Sequence, residues 1–135
     1  MILSSLIVGK GPVVVILHGL FGEGVNWLGI SKELASRFEV HLIDQRNHGK
    51  SFHDPEHNYF VLAQDLNNYI KEKRISTFSL IGHSMGGHLL LLHQEITQDN
   101  FKSIVLSAPM LGFKYEKFLF IIAFLSKFFL NNLEH

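Results

Sequence analysis

The fold turns on one stretch, Thr77-Phe78-Ser79-Leu80-Ile81-Gly82-His83-Ser84-Met85-Gly86, which runs on into Leu89-Leu90-Leu91-Leu92. Thr77 to Gly82 is short and largely apolar, as a buried strand requires. Met85 to Ile96 is apolar all round in its middle, as expected of a covered helix. Between them stands Gly82-His83-Ser84-Met85-Gly86, a G-x-S-x-G. On so tight a strand-to-helix turn the serine hydroxyl projects above the sheet. Glycines two residues to either side let the backbones approach closely. The helix start behind the serine offers backbone N–H groups and a partial positive charge. Short glycine-serine turns are common in proteins. Here the strand before and the helix after make Ser84 the candidate nucleophile, Met85 a candidate oxyanion donor, and Gly82 and Gly86 the glycines the turn needs.

The alternation continues outward in both directions. Pro12 to Leu17 is a β-branched run that reads as a strand covered on both faces. Glu39 to Asp44 and Ser103 to Ala108 are further strands, the last stopped by Pro109. Asn26 to Phe38 carries Trp27, Ile30, Leu34 and Phe38 at helical spacing. Tyr59 to Arg74 does the same with Leu62, Ala63, Leu66, Tyr69 and Ile70, and leaves Gln64, Asp65, Lys71 and Glu72 for water. Strands alternating with helices predict an α/β fold. Its sheet is mostly parallel, with helices on both faces and right-handed crossovers.

Composition narrows the function. The 135 residues hold 12 basic and 12 acidic groups, and 47% are apolar, which suits one domain with a real core. A disordered chain is excluded, and no basic excess exists to neutralise phosphates, which argues against a nucleic-acid binder. The lack of cysteine excludes disulfides, thiolate zinc sites and a cysteine nucleophile, and fits a cytoplasmic protein. Met1 to Lys10 lacks the basic start of a signal peptide. The most apolar segment, Phe118 to Ser126, is far shorter than the roughly 20 residues of a bilayer span. Half of the phenylalanines fall in residues 113–135, where Phe118, Ile121, Ile122 and Leu125 recur at helical spacing. An amphipathic or buried helix is favoured there over membrane contact.

Two more loops sit at strand ends. Leu17-His18-Gly19-Leu20-Phe21-Gly22 can aim the Leu20 N–H at the oxyanion that Met85 faces, with Gly19 giving the backbone room. His18 and His83 fall at the mouth of such a site. Asp44-Gln45-Arg46-Asn47-His48-Gly49-Lys50-Ser51 reads as a structural turn, in which Asp44 and Arg46 satisfy backbone groups, rather than as a catalytic loop. His53 and His57 are spaced to share a metal only if helical, which Asp54-Pro55 disfavours, so no metal site is expected.

These motifs, in this order, resemble the α/β-hydrolase superfamily from about Gly11 to Leu111, over its strands three to six. The fold implied is therefore an incomplete α/β-hydrolase fold. His18 to Gly22 followed by Asp44 to Ser51 looks like the small bacterial esterases of the acyl-CoA esterase type. Ser107-Ala108-Pro109-Met110-Leu111 is similar to monoacylglycerol lipases and lysophospholipases. The resemblance implies a serine hydrolase of carboxylic esters or thioesters, with an acyl-enzyme at Ser84, no cofactor, and a small acyl ester or thioester as partner.

That chemistry needs a histidine base oriented by a carboxylate, both after the serine in chain order. After Ser84 come His88 and His93, expected on the elbow helix as packing or surface residues, and His135. The acids Glu95, Asp99, Glu116 and Glu134 do not stand where the family places its acid. Triad acid and base are thus unassigned, and little or no turnover is expected. Residues 1–112 read as the N-terminal part of a hydrolase domain. Residues 113–135 read as an apolar helical tail, the start of a cap, with Leu133-Glu134-His135 resembling a tag stub. An exposed edge strand at Ser103 to Ala108 then favours self-association or a complementing chain. A non-catalytic remnant keeping the scaffold, and an acyltransferase or lyase on the same elbow, remain the alternatives.

Overall fold

The computed structural model describes residues 1–90 and 101–107. The expected alternation is present. Strands β1 (Ser5–Val8), β2 (Val13–Leu17), β3 (Glu39–Ile43), β4 (Phe78–His83) and β5 (Phe101–Ser107) form one sheet in the order β1-β3-β2-β4-β5. β2 runs parallel to both β3 and β4, β4 runs parallel to β5, and β1 alone is antiparallel, against β3. The fold is α/β with a mostly parallel sheet, as the sequence predicted.

β2 occupies the sheet centre because Val14, Val15, Ile16 and Leu17 tolerate cover on both faces, and all four are buried. Alternate residues feed two cores. Val15, Leu17, Ile43 and Leu80 pack with Leu62, Leu66 and Tyr69 of α2 (Tyr59–Glu72) and with Leu89 and Leu90. Val14, Ile16, Val40 and Leu42 pack on the other face against Trp27, Leu28 and Leu34. Helix α1 (Leu28–Leu34) therefore covers one face. The opposite face belongs to α2 and to α3, helical from residue 85 to 90. The rest of the expected helix to Ile96, with His93, lies outside the described residues. So do Asp99, Ala108 and residues 113–135.

One strand is additional to the expected ones and two expectations are corrected. The additional strand, β1, carries no readable pattern, since Leu6 and Ile7 are both exposed. It is held by pairing with β3 and by Leu3, which joins the core. The helix expected from Asn26 to Phe38 is split into a 3-10 turn (Gly24–Trp27) and the short α1. Ile30 faces away from the core and is half exposed. Asp65, expected in water, is 6% exposed. The guanidinium of Arg46 reaches it across the loop and donates from Nε and from Nη2 (3.0 Å), which supplies the partner a buried carboxylate requires. Arg46 Nη1 also donates to the Glu56 carbonyl at 2.7 Å.

Among the described residues β5 pairs only with β4. No helix among them is long and apolar enough to cross a membrane.

Candidate active site

Ser84 follows the last residue of β4 and precedes the first turn of α3. Its φ is +51°, a left-handed conformation that a residue with a Cβ adopts only at a cost. Surrounding bonds enforce it. The Ser84 N–H donates to the Ser107 carbonyl at the end of β5 (3.0 Å), and the Ser84 carbonyl accepts from His88 N–H (3.1 Å), which starts the helix.

The glycines of the turn are there for space. A Cβ on Gly86 would lie 2.5 Å from the Leu17 carbonyl oxygen and 2.7 Å from that of His18. A Cβ on Gly82 would lie 2.6 Å from the Gly86 carbonyl oxygen. The elbow is thus pressed directly onto the end of β2. Gly19 completes the approach from the other side, since its Cβ would stand 3.2 Å from that of Ser84.

His18 and Gly19 carry the loop that faces Ser84. His18 is 1% exposed. Its Nδ1–H donates to the Gly19 carbonyl (2.7 Å), and its Nε2 accepts from Gln45 N–H (3.1 Å). A carbonyl can only accept and an amide only donate, so the ring is neutral with its proton on Nδ1. Burial pushes its pKa below the ordinary histidine value, against the bond to Gly19, which raises it. The Gly19 carbonyl also accepts from Gly22 N–H (3.0 Å). In a trans peptide the N–H lies opposite the carbonyl, so fixing Gly19 O fixes the direction of the Leu20 N–H. His18 therefore forms the floor of the site rather than its mouth. His83 is half-buried beside it, with its ring 5.8 Å from Trp27 and Nδ1 3.4 Å from Ser107 Oγ.

Ser84, His83 and the glycine-rich loop line a cleft of about 470 Å³. Its apolar wall is Leu20, Phe21, Trp27 and Ile30. The cleft can therefore hold an apolar chain next to Ser84. A neighbouring polar cleft of about 490 Å³ shares Leu20 and Phe21 and adds Glu23, Asn47, His48 and His57.

The Asp44 loop is structural, as its polar composition indicates. Asp44 accepts from Gly24 N–H (2.7 Å) and from Lys50 N–H (2.9 Å). Gly49, at φ +51°, leaves room for that carboxylate. The part sequence reasoning missed is what this loop holds: the whole 18–24 segment. Its only readable trace is the placement of both loops at the ends of adjacent strands. His88 stacks near Tyr59, with ring centroids 4.4 Å apart. The ring nitrogens of His18, His41, His48 and His83 have partners other than the Ser84 hydroxyl. Among them, no three metal-binding side chains gather to hold an ion.

A parallel sheet with an antiparallel edge strand and a serine at a left-handed bend between strand and helix define an α/β-hydrolase. The chain belongs to the alpha/beta hydrolase fold family, whose model matches residues 12–133. It is similar to the "Probable alcohol acetyltransferase" of Saccharomyces cerevisiae, at 40% identity over 60% of this chain and 25% of that one. An sn-1-specific diacylglycerol lipase of Mus musculus is 39% identical over 60% of this chain and 27% of its own length. Among solved structures, a marine microorganism esterase superposes with a TM-score of 0.75 at 40% identity, covering 78% of this chain and 41% of that one. The chain thus spans about a quarter of these curated relatives and two fifths of that esterase.

Proposed function

We propose that this chain is the nucleophile-bearing part of a serine hydrolase acting on carboxylic esters or thioesters. Ser84 Oγ attacks the acyl carbonyl carbon, and the oxygen that gains charge accepts from the N–H groups of Leu20 and Met85. The leaving oxygen or sulfur takes up the proton that the Ser84 hydroxyl gives up and departs as alcohol or thiol, an acyl-enzyme remains at Ser84, and water releases the acid. The acyl part lies along Leu20, Trp27 and Ile30. The reading rests on one observation, the left-handed Ser84 facing a loop whose peptide direction is fixed by His18. The names of the esterase and lipase relatives support it. Hydrolases stripped of a triad member keep about 10³- to 10⁴-fold catalysis from oxyanion hole and binding alone. Slow acylation of Ser84 by a p-nitrophenyl ester is therefore expected, seen by mass spectrometry on the peptide containing Ser84. Equal acylation in Ser84→Ala would refute it.

Acyl transfer to an alcohol is the second reading, favoured by the name of the yeast relative. Product analysis with an added alcohol separates the two. A cytoplasmic location is proposed from the absence of cysteine, and cell fractionation tests it.

A further inference from the structure

The loop after β3 grips the glycine-rich loop at three points. Asp44 accepts from Gly24 N–H at one end. Gln45 bonds His18 at the other, through its backbone N–H to Nε2 and through its side-chain amide to the His18 carbonyl (2.7 Å). The third point lies between them. His48 Nε2 accepts from Phe21 N–H at 3.3 Å, while His48 Nδ1–H donates to the Arg46 carbonyl at 2.8 Å. Those two partners admit only the neutral ring with its proton on Nδ1.

Phe21 needs such a hold. Its φ is +61° and its side chain is 92% exposed, so packing does not fix the residue. Phe21 follows Leu20 directly, and the proposed function assigns the Leu20 N–H to the oxyanion.

We infer that His48 is a positioning residue: its neutral ring pins the Phe21 amide and so keeps the Leu20 N–H aimed at the acyl oxygen beside Ser84. The inference rests on that reading of Leu20 and goes beyond it. Protonation would place an N–H at Nε2 against the N–H of Phe21, so the bond must break. The charged and titratable groups around His48 are His18 (ring centroid 5.0 Å away) on the β2 side and His57 (6.1 Å) before α2. Glu23 lines the same cleft, Asp44 and Lys50 share the His48 loop, and Arg46 is committed to Asp65.

The experiment is an NMR pH titration of the isotope-labelled 135-residue protein with His48→Gln and His48→Phe. In the parent protein the Phe21 and Leu20 amide resonances are expected to move in step with the His48 ring signals as pH falls. In His48→Gln, whose side-chain oxygen can still accept, they stay near their neutral-pH positions. In His48→Phe they sit at the displaced positions throughout. Amides of residues 20 and 21 that ignore the His48 titration overturn the inference, even if His48→Phe fails to fold. A second arm follows fluorophosphonate labelling of Ser84, with a rate expected to fall as His48 protonates, about fivefold for one lost hydrogen bond, and not in His48→Gln. Absence of labelling at every pH would overturn the hydrolase reading, while the amide titration still decides the role of His48.

Discussion

Replacing Asp65 by Leu should be among the most damaging single changes in the chain. Asp65 and Arg46 are both buried, with side chains 8% and 10% exposed. They meet through two parallel bonds, from Nε and Nη2. Removing the carboxylate leaves a guanidinium inside the protein with the Glu56 carbonyl and the more distant Asp54, 3.6 Å away. Breaking one side of a buried pair costs about 3–5 kcal/mol, mostly from stranding the remaining charge. The surviving partners of Arg46 place this case at the lower end, about 3 kcal/mol. The reasoning makes a sharper statement about the pair. Arg46→Leu combined with Asp65→Leu strands nothing, so the double variant should be at least about 2 kcal/mol more stable than the sum of the two losses predicts. Urea unfolding followed by the fluorescence of Trp27, which packs against the core, measures all four proteins. Strictly additive losses would refute the account, because the pair would then be two independent residues that happen to touch.

Other consequences follow from the elbow and its floor. Ser84→Gly should stabilise the fold by about 1 kcal/mol in thermal unfolding while abolishing acylation, because glycine adopts φ +51° without the strain a Cβ brings. Gly86→Ala should destabilise by about 1–3 kcal/mol, since its methyl meets the Leu17 carbonyl at 2.5 Å, and a stability equal to the parent's would mean that β2 can yield. His18 has a folded pKa depressed below the unfolded value of about 6.5. The unfolded chain therefore binds the proton first, and stability is full above that value and declines as pH falls beneath it. His18→Gln should flatten this slope between pH 7 and 5, and an unchanged slope would assign the acid sensitivity elsewhere.

The elements legible in the sequence are those whose signal is local. β2 announces itself by an uninterrupted apolar run, β4 by a largely apolar one, and the turn at Ser84 by glycines that geometry demands. What the sequence hid depends on partners far along the chain. Asp65 falls on the polar side of a helical wheel, and only the arrival of Arg46, nineteen residues earlier, makes its burial tolerable. β1 has four residues, of which the middle two are exposed, so no periodicity marks it. Its place is written in its partners: His41 opposite Ile7, and the Tyr69 hydroxyl donating to Ser5 (2.8 Å). The role of Asp44 was legible because a carboxylate at a strand end, followed by polar turn residues, commonly satisfies backbone groups. That its clients lie in the glycine-rich loop was not, since nothing local names them.

The same edge strand gives the outermost part of the molecule a say in its chemistry. Ser4 N–H donates to Ser51 Oγ (2.8 Å), the Ser51 hydroxyl donates to the Asp44 carbonyl, and the Ser4 carbonyl accepts from Asp44 N–H (3.0 Å). Asp44 in turn grips Gly24. Clipping the first five residues to tidy an expression clone would thus withdraw a strut from beneath the glycine-rich loop. The harm would surface as lost reactivity at Ser84, which lies at the same ends of the strands but three strands across the sheet from the cut.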